Sequence, residues 1–141
     1  MIKTVGRRLN IVVAVLVWGC AWTAPLSGAY GVDLTGAWVT DTAACDKMFV
    51  KKGGTTSFVR NSDMHGSGFI IDGRRIRGRA ANCTVSKTTE EKGITHMLAS
   101  CATDVMLSNV QLSVKILDDN KIVRFFPGME GMELPYYRCP R

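Results

Sequence analysis

Val110, Leu112, Val114 and Ile116 alternate with Gln111, Ser113 and Lys115, the cleanest period-two pattern in the chain. Successive side chains of an extended strand point to opposite faces, so this spacing predicts a half-buried strand over residues 110–117. Shorter stretches of the same kind predict strands at 35–40 around Trp38, 55–60, 67–71, 94–103 and 134–139, the last broken at its start by Pro135. Only one segment carries a helical pattern. Asp41 can cap it, Cys45, Met48 and Phe49 form a stripe at helical spacing, Lys51 and Lys52 complement the C-terminal dipole, and Gly53 ends it.

Turn signals punctuate these elements and fix the expected pairing. Asp72-Gly73 is a preferred two-residue hairpin turn, and the strand after it, from Arg74 toward Thr88, is expected to bend at Gly78. Glu91-Lys92-Gly93 reads as a three-residue loop with Gly93 in the left-handed position, which sets Cys83 opposite Cys101; a two-residue loop would shift that register. A turn at Asp119-Asn120 sets Val114 opposite Phe125 and Ile116 opposite Val123. Loops are expected at 61–66, 104–109 and 127–133. The sum is an all-β domain of about eight short antiparallel strands in a meander, closed as a small barrel, with one short helix after the first strand. A flattened sandwich is the second architecture this pattern allows.

Residues 1–31 follow a different plan. Lys3, Arg7 and Arg8 precede an apolar run from Ile11 to Trp22, followed by Pro25 and the small residues Ser27, Gly28, Ala29 and Gly31. This is the three-part pattern of a secretory signal peptide. The run is about 18 Å long as a helix, short of the roughly 30 Å a spanning helix needs. Cleavage is expected near Gly31, which leaves a single domain over 32–141 in the periplasm or outside the cell. Val17-Trp18-Gly19-Cys20 loosely resembles a lipoprotein box, but Trp18 stands where a small residue is expected.

Cleavage takes away Cys20 and leaves Cys45, Cys83, Cys101 and Cys139. An even count in an exported chain predicts two disulfides. The hairpin register pairs Cys83 with Cys101, and Cys45 is left to Cys139. No CxxC pair is present, so a zinc site does not fit. The formal net charge is +6 and falls to +3 once Lys3, Arg7 and Arg8 leave with no acidic residue. That balance is far from the basic footprint of a nucleic-acid binder.

Chemistry-bearing residues are few. Arg75, Arg77 and Arg79 recur every second residue beside Arg74, so a strand there would present a stripe able to dock an anionic partner, or simply a solvated face. His65 lies in a turn-forming loop; His96 shares strand parity with Ile94 and Leu98 and is, with Trp38, a candidate pocket residue. Met129 and Met132 sit in Gly-Met-Glu-Gly-Met-Glu, but two thioethers do not make a copper site. No nucleophile elbow, catalytic triad or cofactor motif occurs.

Leu34-Thr35-Gly36-Ala37-Trp38 is similar to the Gly-x-Trp opening of lipocalin-like barrels, a resemblance that implies Trp38 closes the barrel bottom. The chain as a whole, including Gly66-Ser67-Gly68-Phe69-Ile70-Ile71, Cys101-Ala102-Thr103-Asp104 and Phe126-Pro127-Gly128-Met129, resembles small exported proteins of alphaproteobacteria that have no assigned function. The resulting expectation is a non-enzymatic exported binding protein, without a cofactor, for a small apolar ligand or an anionic partner. The alternatives are a protein-interaction module or inhibitor of an exported enzyme, and a hydrolase-like enzyme built around His96.

Overall fold

The computed structural model describes residues 32–140. The expected export signal, with Cys20 and the cleavage point, lies outside the described residues. Eight strands close into an antiparallel barrel. Its order runs β1 (Gly36–Val39), β10 (Glu133–Arg138), β9 (Lys121–Phe125), β8 (Leu107–Asp118), β7 (Ile94–Ala102), β6 (Asn82–Glu91), β5 (Arg75–Arg77) and β4 (Gly68–Asp72), which pairs back with β1. Closure leaves these strands no free edge, the usual reason a meander curls. A two-stranded hairpin of β2 (Phe49–Lys52) and β3 (Thr55–Phe58) stands apart from this sheet.

Period-two alternation sorts the side chains into two cores. Trp38, Phe69, Ile71, Ile76, Met97, Leu112, Val114, Ile122 and Tyr136 point inward and fill the barrel. Ala37, Val39 and Ile70, on the opposite faces of β1 and β4, pack outside the wall against Ala44, Met48 and Phe49. Gly68 sits where the two layers touch: a Cβ there would lie 2.8 Å from the Trp38 carbonyl and 2.9 Å from the Met48 methyl.

The helix is shorter than its stripe predicts. A 3-10 turn over Thr42–Ala44, capped by the Asp41 carboxylate accepting from the Ala43 amide at 3.0 Å, leads into α1 (Cys45–Met48). Phe49 to Lys52 is strand, because Gly53 and Gly54 both take positive φ (+54° and +79°) and form a two-residue hairpin turn instead of a helix cap.

Three further expectations shift. The strand from Arg74 toward Thr88 reverses instead of bending: Gly78 donates to the Ala81 carbonyl at 2.8 Å, and β5 and β6 pair antiparallel. The first barrel hairpin turns at Gly73-Arg74, one residue beyond the expected pair, with Asp72 opposite Arg75. The β6–β7 turn has two residues, Lys92 and Gly93, with φ of +52° and +77°. That places Glu91 opposite Ile94, and a bulge at Ser86 then restores the pairing of Cys83 with Cys101.

A second bulge, at Leu117, changes which face of β9 is inside. Past it, Val114 faces Arg124 and Ile116 faces Ile122, not Phe125 and Val123. A one-residue slip exchanges the two faces of a strand. Ile122 and Arg124 are therefore the inward residues of β9.

Candidate functional site

The interior is packed at one end and open at the other. Toward the packed end Trp38 is fully buried, its Nε1 donating to the Leu34 carbonyl at 2.9 Å. The Arg138 guanidinium lies 4.5 Å from the centre of that indole and donates to the carbonyls of Asp33, Thr35 and Asp119. Asp119 belongs to the β8–β9 turn, so Trp38 and Arg138 plug the end where that turn lies.

The β5–β6, β7–β8 and β9–β10 connections lie at the opposite end, because alternate turns of a meander share an end. Below them is a cavity of about 380 Å³. Its wall combines the apolar groups of Phe69, Ile76, Ala99 and Leu112 with Arg124 and Tyr136. The Tyr136 hydroxyl and Ser67 Oγ are 3.1 Å apart, and the Tyr136 ring packs 4.8 Å from that of Phe69. The Cys83–Cys101 disulfide forms part of the same wall, with Cα atoms 3.9 Å apart. Toward this end, Val105 and Met106 of the β7–β8 connection, Leu107 at the start of β8, and Met129 and Met132 of the β9–β10 connection are exposed. Ligand sites in β-barrels favour such mouths, apolar with a few placed polar groups.

Both residues expected to line a pocket lie elsewhere. Trp38 belongs to the plug and not to the cavity wall. His96 is on the outer face, because Met97 and Ala99 take the inward positions of β7. Its Nδ1 is 2.8 Å from Ser113 Oγ and 3.3 Å from Gln111 Nε2. No carboxylate completes this pair into a triad among the described residues. His65 is exposed at the end of a 3-10 turn, Ser62–His65, whose first residue is buried.

The arginine stripe is not a continuous docking face. Arg75 and Arg77 flank the inward Ile76 and point outward from β5. Arg77 donates to the Thr56 carbonyl of β3 at 2.7 Å. Arg79 lies beyond the strand and donates to the Val59 carbonyl and Ser62 Oγ, with an ion pair to Asp63 at 3.0 Å. Arg74 closes its own turn onto the Val85 carbonyl through Nε and Nη2. Arg77 and Arg79 tie β3 and the segment after it to the barrel, Arg74 ties the β4–β5 turn to β6, and Arg75 is exposed.

The second disulfide, Cys45–Cys139, joins α1 to the residue after β10, with Cα atoms 5.7 Å apart. Among the described residues no group of three His, Cys, Asp or Glu side chains could hold a metal ion, and no helix is long and apolar enough to cross a membrane.

Arg124 is the residue that reading by alternation misses. With the β8–β9 turn taken as unbulged, Phe125 is inward and Arg124 faces solvent; the Leu117 bulge reverses this. Nothing local at Leu117 marks the insertion. No family model matches the chain, and neither a curated protein nor a solved structure matches it significantly.

Proposed function

We propose that this protein is an exported binding protein that holds a small, largely apolar ligand in the mouth of its barrel. The carrying observation is the cavity itself: about 380 Å³ in an interior otherwise packed by Trp38, Ile122 and Val114, each fully buried. Close-packed interiors leave few voids larger than a water molecule. A volume within the range of ligand pockets, lined by side chains from several strands, supports occupation by a ligand. Trp38 at the plugged end supports the lipocalin-like reading of the Gly-x-Trp opening. Two disulfides support an oxidising compartment such as the periplasm.

The test is titration of the oxidised protein with the small neutral fluorescent probe 1-aminonaphthalene, alongside Ser108→Trp. Ser108 lines the cavity and is half-buried, so the indole would fill the opening without entering the packed end. Saturable one-to-one binding lost in Ser108→Trp is expected. Absence of saturable binding in the parent protein, or undiminished binding in the variant, overturns the reading.

A protein-docking role rests on a different observation. Val105 in the β7–β8 connection and Leu107 at the start of β8 are 89% and 83% exposed. Changing both to Ser should abolish capture of a partner from periplasmic extract, and unchanged capture removes this reading.

A further inference from the structure

Four of the arginines already described, Arg74, Arg77, Arg79 and Arg138, direct their donors at backbone carbonyls. Arg124 does not. The Leu117 bulge turns it into the barrel, between Val114 on β8 and Leu134 on β10, in the wall of the cavity. Its guanidinium carbon stacks 4.5 Å from the centre of the Phe126 ring, near the mouth. Nε is shut off from water and is the one buried side-chain nitrogen or oxygen among the described residues without a hydrogen-bond partner. No carboxylate among them forms an ion pair with this group.

Arg124 is half-buried, so the cost falls on Nε: a donor shut off from water without a partner is penalised, and an apolar side chain of similar volume would relieve it. A ligand acceptor supplies what the protein leaves out. The guanidinium edge presents parallel N–H groups that match the two oxygens of a carboxylate. The space beside it, against Phe69, Ile76, Ala99 and Leu112, is apolar. At roughly 30 Å³ per non-hydrogen atom, the share of a water molecule in the liquid, the cavity holds about a dozen such atoms.

We propose that Arg124 anchors the carboxylate of a single-chain amphipathic acid whose hydrocarbon tail fills the cavity. This assignment rests on the cavity being the ligand site and adds the chemical class of the ligand.

Calorimetric titration of the oxidised protein with decanoate and with decanol, equal in chain length and different in charge, separates the two claims. Decanoate is expected to bind at least tenfold more tightly than decanol. In Arg124→Gln that preference should vanish, with decanol affinity retained; Arg124→Lys, which keeps the charge without the fork, should recover part of it. Arg124→Leu provides a readout independent of ligand: its urea midpoint, measured without ligand, should lie at or above that of the parent. Equal affinities for the two probes, or a preference that survives Arg124→Gln, overturns the anchor and leaves the cavity reading standing. Failure of both probes to bind the parent protein overturns the cavity reading and the anchor with it. A fall in the midpoint of Arg124→Leu also counts against the anchor, because it would make Arg124 a stabilising part of the apo fold.

Discussion

Cys83 stands directly opposite Cys101 because Ser86, three residues further along the same strand, has no partner across the ladder. The two-residue turn at Lys92-Gly93 by itself pairs Glu91 with Ile94 and would carry the cysteines out of line. The inserted Ser86 restores the register, and its hydroxyl donates to the Leu98 carbonyl at 3.0 Å. Deleting Ser86 should therefore displace Cys83 by one position onto the opposite face of the sheet. Expressed as residues 32–141 and oxidised, the variant should show two thiols reactive toward an alkylating reagent, read by mass spectrometry, against none in its parent.

The two bridges should differ in weight. They span 94 and 18 residues, and in the chain-entropy model such loops contribute about 4–5 and about 3 kcal/mol. Urea unfolding of Cys45→Ala/Cys139→Ala should show the larger loss, and Cys83→Ala/Cys101→Ala the smaller. Equal losses would mean that structure remaining in the unfolded chain outweighs loop length.

Arg138 holds the plugged end together. Replacing it with Leu removes donors to the carbonyls of Asp33, Thr35 and Asp119 together with the stacking on Trp38. The expected loss is about 2–4 kcal/mol, since each hydrogen bond to a charged group contributes roughly 1.5–3 kcal/mol and the set is not additive. The urea midpoint checks this. Arg138→Lys, which keeps the charge but lacks the fork, should fall between parent and Leu.

Arg77 and Arg79 should act locally. Their Ser variants release the links to Thr56, Val59 and Ser62 while leaving the barrel ladder intact. Amide exchange in β2 and β3 is expected to accelerate about tenfold, equivalent to about 1.4 kcal/mol, with β7 and β8 unchanged. The exposed pair of Arg79 with Asp63 should matter little in this, as surface ion pairs generally do.

Strand alternation and turn residues make the barrel legible in the sequence: Val110 to Ile116, the Asp119-Asn120 turn and the two cysteine pairs all stand where the pattern sets them. Single inserted residues were not legible. Ser86 and Leu117 each add one position to a strand, and nothing in their side chains distinguishes them from their neighbours. Because the side-chain period is two, each insertion exchanges inside for outside. That is why Phe125 was expected inside and Arg124 outside. The docking stripe expected of Arg77 and Arg79 is absent for another reason: both donate to main-chain carbonyls, of Thr56 in β3 and of Val59 after it, and such acceptors leave no trace in side-chain identity, although Arg79 also meets Ser62 and Asp63. Gly53 reads as a helix stop, but with Gly54 it forms a hairpin turn, because Phe49 and Val50 favour a strand.

The seam between β1 and β10 carries a kinetic implication. It pairs Trp38 with Arg138, residues a hundred positions apart, so no shorter stretch of nascent chain can shut the ring. Contacts of such sequence separation form late and slow folding. Until β10 is made, β1 has only β4 beside it, and the ring stays open.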